Sequence, residues 1–306
     1  MGSSLTNVFE TDNYTTQLLM VDSFSHTQYV PPPKSLLIAT PIEGGEFPLL
    51  LFLHGYLMYN SFYSQLIQHV ASHGFIVVTP QLYEVDLPNI NGEIYSVVAI
   101  TNWLFKGLSK ILPSNIIPNL DKLALGGHSC GGKTSFAIAL RKLNITTDLK
   151  FSAIIGVDPI DGPETGIHTS PQILTYVPHS FNFDMATLVI GSGLGDLKKN
   201  LLFPPCSPIG VNHENFFNEC NKPSWHFVAE HYGHNDMMDD DTKGGKGKLS
   251  YCFCKNGQSR KPIRKFVGGV MVAFLKAYIV GDNVDLLAIR DKNVSVPLEM
   301  KFDYIV

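Results

Sequence analysis

One pentapeptide, Gly127-His128-Ser129-Cys130-Gly131, constrains this chain more than any other feature. It follows a short apolar run at 123–125 and precedes a stretch with helical spacing at 133–141. A strand that turns into a helix through G-x-S-x-G is a nucleophile elbow: the sharp turn strains the serine backbone and lifts its hydroxyl above the sheet. The flanking glycines are demanded because strand and helix approach too closely there for larger side chains. The pentapeptide alone recurs by chance; its two flanking elements give it meaning.

The rest of the chain supplies a sheet for such an elbow. Apolar runs bounded by turn residues predict strands at 35–39, 48–53, 74–79, 123–125, 152–157, 187–190 and 226–228. Helical periodicity falls between them at 61–72, 97–108, 133–141 and 267–280. Strands alternating with helices predict a mostly parallel central sheet flanked by helices on both faces, an α/β-hydrolase fold. The expected organisation is one domain over 1–306, with a loop-rich elaboration at about 191–224 that has no long periodic helix. That stretch lies near the substrate end of the sheet, or is a surface excursion held by Cys206 and Cys220.

Composition excludes several classes. Hydrophobic residues make up 44% and charged residues 16% of the 306, ordinary for a globular chain. Net charge is -4 with no long basic run, so the footprint of nucleic-acid binding is missing. No apolar run is long enough to span a bilayer, and residues 1–13 are polar, so no secretory signal or transit peptide is legible. Five cysteines leave at least one thiol unpaired in a monomer; Cys252-Phe253-Cys254 lacks the redox spacing, and no metal site is expected. The acidic run of Asp236, Asp239, Asp240 and Asp241 lacks a calcium-loop pattern and reads as a solvated loop.

A serine hydroxyl needs a base, and the base needs an orienting acid. In this fold the histidine comes last in chain order. His231 and His234 both follow the last predicted strand; Gly233 favours a turn that points to His234, and His231 competes closely. His226 opens that strand and reads as structural. The acid is Asp158, at a strand end, or Asp196, in a Gly-rich loop nearer the histidine; Asp161 could be only a turn residue. The developing oxyanion needs backbone donors: the N–H of Cys130, and that of Tyr56 with Leu57 as the fallback. His54 reads as structural.

Further segments extend the pattern. They are Phe52-Leu53-His54-Gly55, Ala71-Ser72-His73-Gly74-Phe75 and, after the elbow, Gly132-Lys133-Thr134. Val157-Asp158-Pro159-Ile160-Asp161-Gly162, Gly191-Ser192-Gly193-Leu194-Gly195 and Asn212-His213-Glu214 follow. Tyr232-Gly233-His234-Asn235-Asp236-Met237 and Cys252-Phe253-Cys254-Lys255-Asn256-Gly257 complete the series. In this order, over about 48–275, the series resembles the plant chlorophyllase family. The resemblance implies cofactor-free hydrolysis of the phytyl ester of chlorophyll to chlorophyllide and phytol. It also implies Ser129 as nucleophile, Asp158 as acid and His234 as base. One departure stands out: the family usually has arginine after the serine, where this chain has Cys130.

An apolar substrate implies a greasy pocket mouth, for which Tyr56, Leu57, Met58, Phe62, Phe203 and Met237 are candidates. Such a substrate also suggests plastid membranes and peripheral contact through 191–224. Two other readings stay open. One is a lipid or polyester esterase on the same scaffold; the other is a non-catalytic protein that binds hydrophobic ligands.

Overall fold

Residues 49–53 are all apolar, and a strand points successive side chains to opposite faces. A strand built from them must therefore be covered on both sides. The computed structural model describes residues 5–24, 30–83, 90–242 and 244–306. In chain order it begins with β1 (Thr16–Val21), β2 (Leu36–Pro41), β3 (Gly45–Leu53), α1 (Ser64–Ala71), β4 (Ile76–Pro80) and α2 (Ile90–Ile111). It continues with β5 (Ile116–His128), α3 (Cys130–Ala139), β6 (Ala153–Val157), β7 (Ala186–Ser192) and α4 (His213–Glu219). Then come β8 (Ser224–Ala229), α5 (Gly244–Phe253), α6 (Arg260–Leu275), α7 (Val284–Arg290) and β9 (Met300–Ile305).

The strands form one sheet in the order β1-β2-β4-β3-β5-β6-β7-β8-β9. Neighbours from β4 to β8 run parallel, while β1, β2 and β9 pair antiparallel at the edges. Leu50 and Phe52 join Ile155, Leu188 and the apolar stripes of α1 and α6 on one face. Leu49, Leu51 and Leu53 join Ile154, Val189 and residues of α2 and α3 on the other. Each fully buried leucine or phenylalanine contributes about 1.5–3 kcal/mol.

Pairing brings the carboxyl ends of the central strands level: Leu53 lies opposite Gly127, His128 opposite Val157, and Val157 opposite Ile190. In open parallel sheets, ligand-binding crevices form outside these ends. Ser129, Asp158 and the loop before His234 all leave the sheet on this edge. None of the described helices is long and apolar enough to cross a membrane.

Several expectations need correction. The edge strands β1 and β9 and the short helices α4, α5 and α7 are additions. The last long helix stops at Leu275, and a π-turn, Lys276–Val280, follows it to a left-handed Gly281. Cys206 is bonded to Cys254, not Cys220; the two Cα atoms stand 5.5 Å apart. Cys220 is buried, and its thiol meets the Phe216 carbonyl at the end of α4. Cys130, Cys220 and Cys252 are free thiols.

Candidate active site

Ser129 has φ 56° and ψ −120°, the strained conformation that an elbow imposes. Its N–H donates to Val157 O at 2.9 Å, and its carbonyl accepts from Lys133 N at 3.0 Å, which fixes the turn between β5 and α3. A Cβ on Gly127 would come within 2.4 Å of the Gly131 carbonyl carbon, and one on Gly131 within 2.4 Å of Leu53 O. Both glycines are therefore required by close backbone approach.

Asp158, also left-handed at φ 45°, leaves β6 beside it. Oδ2 accepts from His234 Nδ1 at 2.7 Å and from the Ser192 hydroxyl. Oδ1 accepts from the Ser207 hydroxyl at 3.1 Å and the Ser192 N–H at 3.4 Å. Burial alone would raise this carboxyl, but the bond and charge of His234, with His213 and Ser192, hold it well below the usual carboxylate range. An anionic Asp158 keeps the His234 proton on Nδ1 and leaves Nε2 free to act as a base.

The turn carrying His234 is clamped from behind. Asp236 Oδ2 accepts from Gly233 N at 2.7 Å and from Gly257 N at 2.6 Å. A Cβ on Gly233 would meet Lys255 O at 1.7 Å. The Cys206–Cys254 bond ties this clamp to the loop that carries Ser207, so one covalent link joins the supports of His234 and Asp158.

The loop after β3 closes the other side. Gly55 O accepts from Met58 N at 3.2 Å, and Leu57 takes φ 57°. A Cβ on Gly55 would lie 3.2 Å from Ser129 Cβ. Burial holds His128 well below its ordinary pKa, so it is neutral. Its Nε2–H donates to His234 O at 2.9 Å, leaving Nδ1 to accept from the Tyr63 hydroxyl at 2.8 Å. Tyr63 in turn accepts the Gly55 N–H at 3.1 Å. A buried chain of hydrogen bonds thus couples the loop after β3 to the backbone of His234.

Cys130 is half-buried, with its thiol within reach of the Tyr56 N–H and the Ser129 hydroxyl. Burial, reinforced by Glu93, pushes that thiol up to about 12, so it stays protonated at neutral pH. His54 Nε2 accepts from Leu82 N at 3.0 Å and supports the loop.

The structure brings Asp158 and His234 together, with the His234 ring 4.5 Å from that of His128, the residue before Ser129, and leaves the competing residues elsewhere. His231 is exposed and pairs with Glu299 at 2.8 Å, while Ser192 and Ser207 hold Asp158 rather than Asp196. Of the candidate pocket residues, Met58, Phe62 and Met237 are packed in the core, not displayed at a mouth. Aromatic and thioether side chains fill cores and pockets alike, so their types carry no distinction. Leu57 is exposed, Tyr56 is half-buried, and the Phe203 ring packs on Phe253 with centroids 4.8 Å apart.

Sequence reasoning missed Ser192, Ser207, Tyr63 and the His213–His226 pair, whose Nδ1 and Nε2 meet at 2.9 Å behind Asp158. Ser192 ends a strand on the sheet's active edge, a signal that could have found it. Among the described residues no group of His, Cys, Asp and Glu is arranged to hold a metal ion.

Parallel sheet, elbow and the Asp158–His234 pair together define an α/β-hydrolase. The chlorophyllase family model matches residues 4–305. Chlorophyllase-2 of Arabidopsis thaliana is 53% identical over 310 residues, covering 98% of both chains. Chlorophyllase-1 of the same plant is 44% identical over 86% of this chain and 82% of its own. A protein of Citrus unshiu described as chlorophyllase-1, chloroplastic, is 41% identical over 96% and 87%. The chain belongs to the chlorophyllase family.

Proposed function

We propose that Ser129, His234 and Asp158 hydrolyse the phytyl ester of chlorophyll through an acyl-enzyme. His234 Nε2 takes the Ser129 proton as Oγ attacks the ester carbonyl. The oxyanion is held by the N–H groups of Cys130 and Tyr56. As the intermediate collapses, the ester bond breaks and His234 gives its proton to the departing phytol. Water then attacks the acyl-serine, again deprotonated by His234, and chlorophyllide leaves as Ser129 recovers its hydrogen. The observation that carries this reading is the 2.7 Å contact between His234 Nδ1 and Asp158, which orients the base in a chain of the chlorophyllase family.

The experiment sets chlorophyll a against short nitrophenyl esters. Higher kcat/KM for chlorophyll is expected. Cleavage of the short esters alone would leave a general esterase, and binding without turnover a hydrophobic-ligand carrier.

We further propose that the enzyme meets its substrate at a plastid membrane surface through the loop at 197–209. Leu201 is 98% and Leu202 85% exposed, with Lys198 and Lys199 preceding them. Two adjacent bare leucines beside cations suit insertion among anionic headgroups. Co-sedimentation with vesicles of anionic plastid-type lipid should fall at least about threefold in Leu201→Asp/Leu202→Asp, at about 0.8 kcal/mol per buried CH₂. Binding equal to wild type would remove this loop from the account.

A further inference from the structure

Glu93 stands in the first turn of α2 and is 4% exposed. Thr134, one turn beyond Cys130 on α3, donates to its Oε2 at 3.2 Å. Among the described residues, Oε1 has no partner. An orphaned oxygen on a buried carboxyl is costly and calls for an explanation. Lys133, the cation beside it, is committed elsewhere: its ammonium donates to Asp161 at 2.8 Å and to Thr169 O and Oγ1 at 2.5 and 2.6 Å.

The carboxyl is joined to the helix that follows Ser129. Thr134 holds it along the start of α3, the helix that opens with the Cys130 amide. Tyr83, on which the Glu93 charge acts, donates its hydroxyl to Gly55 O at 3.1 Å in the oxyanion loop. Glu93 is near enough that its charge acts on both the Cys130 thiol and the Tyr83 phenol.

We propose that Glu93 is a positioning acid of this site: neutral it is silent, and ionised it opposes the negative charge gathering at the Cys130 and Tyr56 amides. The proposal rests on the reading of Ser129 as nucleophile. Burial pushes the Glu93 carboxyl up to about 7, while the Thr134 bond and the Lys133 charge pull it back only in part. The groups facing it are Cys130, Lys133 and Thr134 from α3 and Tyr83 from the segment after β4. No other charged residue stands on α2 between 90 and 97. The sign follows directly: below neutrality the acid is protonated and the oxyanion unopposed, and as pH rises through about 7 a buried anion forms and acylation slows.

The test is the pH profile of kcat/KM for an uncharged short nitrophenyl ester with wild type, Glu93→Gln, Thr134→Val and Ser129→Ala. Any pH dependence that does not involve Glu93 is common to the active variants. The ratio of Glu93→Gln to wild type should therefore be near one at acidic pH and climb about tenfold by alkaline pH, the scale of one charge acting at short range. Thr134→Val removes the bond that stabilises the anion, so the wild-type alkaline fall should move to higher pH. It serves the same purpose if Glu93→Gln does not fold. A ratio independent of pH, or an alkaline fall unmoved by Thr134→Val, overturns the role of Glu93. Activity persisting in Ser129→Ala instead overturns the site on which the proposal rests.

Discussion

Asparagine at position 158 should lower kcat about 10⁴-fold, with KM and the folded state little changed. An Asp-to-Asn change of this kind in a serine triad acts through the histidine tautomer, and that is the scale of its effect. Here the wild-type carboxylate accepts on both oxygens, from His234, Ser192 and Ser207. An amide keeps one acceptor and turns two N–H bonds toward donors. With its oxygen toward Ser207, its NH₂ faces His234 Nδ1 and forces the histidine proton onto Nε2, where it blocks the Ser129 hydroxyl. With its oxygen toward His234, the NH₂ is thrust against the Ser192 N–H and Ser207 hydroxyl. Steady-state rates on chlorophyll a check this. A loss under tenfold would show that Asp158 does not orient the base, and Asp196→Asn should stay close to wild type.

Asp161 should matter as much for stability as Asp158 does for turnover. It reads in the sequence as a possible turn residue three positions past Asp158. In the fold it is fully buried and bonded to Lys133 Nζ at 2.8 Å, His168 Nδ1 at 2.6 Å and the N–H groups of Ile173 and Leu174 at 3.1 and 3.0 Å. Burial pulls the Lys133 ammonium below its ordinary pKa, and Asp161 counters that pull. Asp161→Ala leaves the ammonium without its counter-ion and strands two backbone donors. Breaking one side of a buried pair costs about 3–5 kcal/mol, which at this chain length lowers Tm by about 5–8 °C. Adding Lys133→Met should restore part of the loss, because an apolar side chain needs no counter-ion. Thermal unfolding within about 2 °C of wild type for Asp161→Ala would contradict the buried-pair account.

How much of this was legible in the chain follows from the range of each signal. The elbow is local: strand, two glycines and helix lie within a few residues of Ser129, so the sequence carries them together. The parallel strands were legible because burial on both faces makes them continuous apolar runs, as at 49–53. The edge strands β1 and β9 lack that signature, since each is buried on one side at most and carries exposed residues such as Met20 and Tyr304. Helix α4 has seven residues, too few for periodicity; only its cap, Asn212 accepting from Glu214 N at 3.2 Å, marks its start.

Contacts between distant segments were the illegible part. Spacing could not choose between Asp158 and Asp196, because the choice depends on Ser192 and Ser207 reaching back across 34 and 49 residues. Nor could it pair Cys206 with Cys254, 48 residues apart, or find the unpartnered oxygen of Glu93.

The most direct test of the central claim is chlorophyll a hydrolysis by purified wild type and Ser129→Ala, following chlorophyllide by phase partition. The account predicts turnover by wild type and a loss of at least about 10⁴-fold in the variant, as for removal of a triad nucleophile. Chlorophyllide formed at comparable rates by both proteins would contradict it.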